Sequence, residues 1–110
     1  MKNEYIIVFV TVSNKREAMK ISQILLIKKI VACVNIIPEI YSKYWWKKRI
    51  ESSKEVLLII KTKKVLLNKL ITEIKTVHTY SVPEIVAFSI IGGNIDYLNW
   101  IDESVNKWQY

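Results

Sequence analysis

Residues 4–12 read EYIIVFVTV, a β-branched and aromatic run with no polar alternation. It is too short for a helix with two wet faces, so it reads as a strand buried on both sides in the middle of a sheet. Such a strand needs cover above and below, which restricts the chain to layered α/β architectures. The third strand, with VLLII at 56–60, has the same two-faced character. With 110 residues and 51% apolar content, there is material for one core and not two, and residues 1–110 are expected to form a single domain. Two Gly and two Pro leave no room for a linker or a low-complexity tract.

Local signals give the remaining elements. Asn14 followed by Glu17 resembles a capping box and opens a helix to about Lys29, with Ala18, Ile21 and Leu25 as its inner stripe and Leu26 and Ile27 widening it. Residues 30–37, IVACVNII, form a second strand, which Pro38 should bend or bulge. The chain continues extended through Tyr41, Tyr44, Trp45 and Trp46, and Lys47-Lys48-Arg49 turns it into the third strand, ending near Thr62. The tip of this long hairpin has no Gly, Asn or Asp, so its residues do not name a turn type. Thr62 is the expected N-cap of a second helix carrying Leu67, Leu70, Ile71 and Ile74 at i, i+3, i+4 and i+7. Pro83 holds Val82 extended, so that helix ends earlier and residues 84–91 start a fourth strand, broken by Gly92-Gly93. Leu98, Ile101 and Val105 predict a C-terminal helix over 96–108. The order β-α-β-β-α-β-α is an α+β, ferredoxin-like βαββαβ fold with one added helix. Helices on one face leave an apolar sheet face to be covered, most economically by a second copy of the chain.

Several function classes are disfavoured. No apolar run approaches the roughly 20 residues of a membrane span, and the N-terminus lacks a cleavage-site pattern. The lone Cys33 fits a reducing cytoplasm. One His and one Cys far apart, with no GxSxG elbow and no phosphate-binding glycine loop, give no reason to expect an enzyme. The third strand lacks the exposed aromatics of an RNA-recognition sheet, so no specific nucleic acid is expected. The formal net charge of +7 reads either as solvated lysine faces or as a handle for an anionic partner, with Lys61, Lys63 and Lys64 as candidates. The stretch His78 to Glu84 gathers an imidazole, the Tyr80 phenol and a carboxylate, and reads either as a site or as ordinary packing in which His78 continues the helix stripe. Cys33 reads either as a small buried hydrophobe or as a ligand for a soft metal, and no CxxC or HxxxH spacing presents a preformed site.

Five blocks resemble the CutA divalent-cation tolerance family in order and spacing: AlaCysValAsnIleIlePro at 32–38, SerLysTyrTrpTrp at 42–46, LysThr at 61–62, the loop 78–84 and TyrLeuAsnTrpIle at 97–101. The resemblance implies a homotrimer joined through the long second and third strands, and a link to tolerance of copper and other divalent cations. It places metal binding, of copper or zinc, at Cys33 and His78, with no metal required for folding. The likeness of such trimers to PII signalling proteins implies a small ligand or partner protein at subunit clefts, near Tyr44, Trp46, Lys61, Tyr80 and Glu84. The chain departs from the family pattern at Thr79, where Pro is usual, at Ser81, where an acid is usual, and at Lys47-Lys48, where an acid or Gln followed by Gly is common. The loop is therefore less acidic and poorer in ligands for hard cations.

Overall fold

The alternation along the first strand divides the molecule into its layers. The computed structural model describes residues 4–105. In chain order it contains β1 (Tyr5–Val12), α1 (Lys15–Ile27), β2 (Cys33–Trp46), β3 (Arg49–Lys63), a 3₁₀ turn (Lys64–Leu66), α2 (Leu67–Val77), β4 (Ile85–Ile90) and α3 (Ile95–Ser104). The four strands form one sheet in the order β2-β3-β1-β4, antiparallel throughout. This is the expected ferredoxin-like arrangement with its added helix.

Ile6, Val8, Val10 and Val12 of β1 and Val56, Leu58 and Ile60 of β3 point to one side, where Ala18, Ile21 and Leu25 of α1 and Leu70 and Ile74 of α2 cover them. Each large side chain so buried contributes about 1.5–3 kcal/mol. The opposite side carries Ile7 and Phe9 of β1, Leu57 and Ile59 of β3, Ile37 of β2 and Val86 and Phe88 of β4. The Phe9 and Phe88 rings meet edge to face at 5.1 Å. Among the described residues only one end of this face is covered, where Ile101 and Val105 pack with Leu66, Ala32, Tyr5 and Leu98. Beyond that end Ile37, Val86 and Phe88 remain exposed.

The register of β2 against β3 shifts between Ile37 and Ile40, so the irregularity falls at Pro38, as expected of a residue with no N–H. The extra residue reverses the alternation of β2. Cys33, Asn35 and Ile37 lie on the open face before it, whereas Tyr41, Lys43 and Trp45 lie on the helix side after it. Beyond Val56 the hairpin has no β1 residue to pair with and projects as a two-stranded arm, which gives the molecule its 46 Å length. Trp46 and Arg49 close the arm, and Lys47 and Lys48 between them have φ of 50° and 67°. Two central residues at positive φ define the mirror-image hairpin turn that sequence could not name, here made of lysines.

Four expectations are corrected. Thr62 does not cap the second helix; it lies within β3, and its Oγ1 donates to the carbonyl of Ile30 at 2.7 Å, while α2 follows a 3₁₀ turn with no side-chain cap. The second strand starts at Cys33 and not at Ile30, because α1 ends with Lys29 at φ 56° and with Ile30 N–H bonding the Leu25 carbonyl, a left-handed helix stop usually made by Gly. Leu26 and Ile27 point to solvent and do not widen the stripe. His78 does not continue the stripe of α2; it is the helix's extended C-cap. The C-terminal helix runs to Ser104, and the part expected at 106–108 lies outside the described residues.

A lysine held at positive φ strains the arm's tip. Lys48→Gly should therefore stabilise the protein by roughly 0.5–1 kcal/mol in urea denaturation, whereas Lys43→Gly, in extended strand, should destabilise it by a similar amount. Equal effects at the two positions would contradict this reading of the turn.

Candidate functional site

The arm and the loop 78–84 enclose a cleft of about 600 Å³. Tyr41, Lys43, Tyr44 and Trp46 line it from the arm, Tyr80 and Glu84 from the loop, with Glu55 and Thr11 between them. The Tyr80 hydroxyl donates to Glu55 Oε2 at 2.7 Å, and Tyr44 Oη lies 3.1 Å from Ser53 Oγ. Burial, together with the Glu55 carboxylate as acceptor, pushes the Tyr80 phenol far above its ordinary value, so it stays a donor.

The loop has no regular structure, and side chains from distant elements hold it. The His78 side chain is fully buried. Its Nε2 donates to the carbonyl of Thr11 at 2.8 Å and its Nδ1 accepts the Tyr80 N–H at 3.0 Å, a pairing that sets the tautomer. Glu17 holds the next residue. One of its oxygens accepts the Ser13 N–H at 3.1 Å and the Ser13 hydroxyl at 2.8 Å, and the other accepts the Thr79 N–H at 2.9 Å. Asn14 caps α1 as expected, through the Glu17 N–H at 2.8 Å, but the return bond of the capping box goes to Ser13 and not to Asn14. Burial works to raise the Glu17 carboxyl, and the hydrogen bonds from Ser13 and Thr79 outweigh it, leaving the group below its ordinary value.

Of the residues expected near a subunit cleft, Tyr44, Trp46, Tyr80 and Glu84 line this one. Lys61 does not. It lies at the other end of the open face, where it donates to Asn35 Oδ1, close to Cys33. The Cys33 Sγ is 3.9 Å from the same Asn35 oxygen, and the thiol is also a neighbour of Tyr97, whose phenol is raised by burial and then by Cys33. Cys33 and Lys61 are register partners level with Ile7, whereas His78 is bonded at Thr11, four residues further along β1, or about 14 Å. One protomer therefore does not bring Cys33 and His78 together. Among the described residues no group of three His, Cys, Asp or Glu side chains is placed to hold a metal ion. Both His78 nitrogens are engaged, and the Lys61 ammonium opposes a cation at Cys33, so the residues of one protomer do not fit a chelated ion. The three lysines considered as a basic handle are also dispersed, since Lys63 is buried and paired with Asp102.

Sequence reasoning gave Glu17 only its capping role and missed Thr11 and Glu55. Their partners are far along the chain, and no local pattern signals them.

The model of the CutA1 divalent ion tolerance protein family matches residues 6–104. The chain belongs to that family. Its relatives include the rice protein CutA 1, chloroplastic, 43% identical over 93% of this chain and 58% of that protein, and the Thermus thermophilus divalent-cation tolerance protein CutA, 39% identical over 89% and 95%. The chain spans about half the length of the plant and mammalian relatives, 58% for rice and 52% for human CutA. The crystal structure of rice CutA1 superposes with a TM-score of 0.92 at 42% identity, covering 94% of this chain and 95% of that one. A structure named as the periplasmic CutA of Archaeoglobus fulgidus gives 0.90 at 37% identity, covering 93% and 99%. Chloroplastic and periplasmic placements thus both occur among CutA relatives, and no described helix of this chain is long and apolar enough to cross a membrane.

Glu17 sets a testable pH dependence for this CutA chain. A carboxyl lowered in the folded state adds stability above its unfolded value, and that stability is lost as pH falls through the folded value. Glu17→Gln should cost about 1–3 kcal/mol at neutral pH, with the gap to wild type closing below about pH 4. A gap unchanged across that range would assign the loss to packing alone.

Proposed function

We propose that this protein acts in divalent-cation tolerance as a homotrimer, binding a small ligand or cation at clefts between subunits without turning over a substrate. The observation that carries this reading is the open sheet face, where Ile37, Val86 and Phe88 stay exposed next to the cleft. An apolar face beside an arm longer than its own sheet suits a neighbouring copy better than solvent. Three copies are what the family resemblance implies. The names of the relatives, which refer to divalent-cation tolerance, support the biological role.

The cleft then becomes a boundary between subunits, with Tyr44, Trp46, Tyr80 and Glu84 as its recognition surface. Lys61 can join only from a neighbouring copy. Copper or zinc binding follows the same logic, because Cys33 and His78 are too far apart in one chain to share an ion. Cys33 would supply a soft ligand on the open face, and His78 could contribute only after releasing Thr11 or Tyr80. A cytoplasmic setting, in which Cys33 stays reduced, suits such a ligand.

A second reading, a scaffold that docks another protein, draws on the exposed aromatics of the arm. Native mass spectrometry with copper and zinc under reducing conditions separates these possibilities. A trimer with a fixed number of ions, reduced in the Cys33→Ser and His78→Ala double variant, is the expected result. Unchanged occupancy in that variant would remove Cys33 and His78 from the site. A metal-free trimer would leave the small-ligand cleft, and a monomer would overturn the proposal.

A further inference from the structure

The cleft takes Tyr44, Trp46 and Glu55 from one side of the arm and is bordered by Tyr41 and Lys43, whose strand positions belong to the other side, where the chemistry differs. After the bulge at Pro38, Tyr41, Lys43 and Trp45 leave β2 on the helix side of the sheet, opposite Lys54, Ser52 and Ile50 of β3. Neither α1 nor α2 reaches this far, and Tyr41, Trp45 and Ile50 are 73%, 71% and 66% exposed. Aromatic and cationic side chains thus alternate along β2, about 7 Å apart. Lys54 stands over the Tyr41 ring at 5.8 Å, and the turn after β2 carries Lys47 and Lys48 at the tip, followed by Arg49 at the start of β3. The acids of the arm lie elsewhere: Glu51 and Glu55 are on the cleft side, and Glu39 at the base is bonded to the Tyr41 hydroxyl at 3.0 Å.

We propose that this outer face binds single-stranded nucleic acid without sequence preference, stacking bases on Tyr41 and Trp45 and pairing phosphates with Lys43, Lys47, Lys48 and Lys54. Planar rings interleaved with lysines on an extended ribbon supply both parts of such recognition. The rings are flat platforms open to solvent, which unpaired bases can reach and the stacked bases of a duplex cannot. An anionic membrane fits less well. The cations are at the leading tip with the apolar residues behind them, so insertion would carry Lys47, Lys48 and Arg49 into hydrocarbon first. The surface is not the open sheet face that a second copy would cover, and the inference rests on the proposed trimer leaving this side of the arm open.

Fluorescence anisotropy of a short labelled oligothymidylate tests this on the full chain. Binding should weaken linearly in log–log form with salt, and Lys47→Glu/Lys48→Glu should reduce that slope by about 1.4. Trp45→Ala should lower affinity about tenfold with the slope unchanged, a result that charge alone cannot give. Trp45 is exposed, so the fold should survive, as circular dichroism would check. Lys29→Glu/Lys64→Glu, at the far end of the sheet, should change binding far less. The proposal fails if the oligonucleotide does not bind at low salt, if both charge reversals weaken it equally, if Trp45→Ala binds like wild type, or if phosphatidylserine vesicles bind and the oligonucleotide does not.

Discussion

Two central strands with apolar residues on both faces govern the rest of the molecule. The helices cover only one of those faces, and there Val8, Val10, Leu58 and Ile60 are wholly buried. On the other, α3 shields one end and leaves Val86 and Phe88 in contact with solvent. Ile7, Phe9, Leu57 and Ile59 suit a face that is covered, as the proposed assembly would cover it, better than one meant to stay wet. The mismatch in strand length adds to this. β3 is nearly twice as long as β1, and the excess pairs only with β2, so an arm has to project beyond the sheet.

Glu17, which does not line the cleft, holds part of its wall. Its carboxylate sits at the start of α1, where helix N–H groups favour negative charge, and it holds the loop by the Thr79 N–H. Thr79 occupies a position where the family pattern usually has Pro, which has no N–H to give. In this chain the departure that removes a rigid ring supplies a hydrogen bond in its place. His78 secures the following step by bridging Thr11 and Tyr80, and Tyr80 in turn is fixed on Glu55. The imidazole is thereby a strut between β1 and the loop, and recruiting it to a metal would loosen the wall that shapes the cleft.

Much of this architecture can be read from local chemistry. EYIIVFVTV announces a central strand, Asn14 and Glu17 the start of a helix, and Pro38 and Pro83 a bulge and a strand entry, because each acts through its own backbone or its near neighbours. What escapes such reading involves long reach or tertiary override. Thr62 has the composition of a cap, yet the orphan carbonyl of Ile30 claims its hydroxyl. Lys29, Lys47 and Lys48 adopt the conformation usually left to Gly or Asn, since closing the helix and the hairpin outweighs their local preference. The cleft residues Tyr44, Trp46, Tyr80 and Glu84 came from family resemblance and not from spacing, and within one protomer Lys61 lies apart from them, because the position of a residue along a strand says nothing about which end of the sheet carries the cleft.

The bulge at Pro38 decides which side chains serve which side of the arm. Without the extra residue the alternation of β2 would continue unbroken, and Tyr44 and Trp46 would leave the face they share with Glu55 for the opposite one. Tyr41, Lys43 and Trp45 would take their place on the side of Glu55, and the outer surface would lose Lys43 while keeping Lys54. With it, the arm separates an inner face of aromatic and carboxylate groups from an outer face of aromatic and ammonium groups. The net charge of +7 is therefore not a uniform coat: Lys63 is buried against Asp102, Lys61 is committed to Asn35, and a dense run of cations is displayed at the tip. A proline that cannot join the ladder is thus the physical reason that one short ribbon carries two different surfaces.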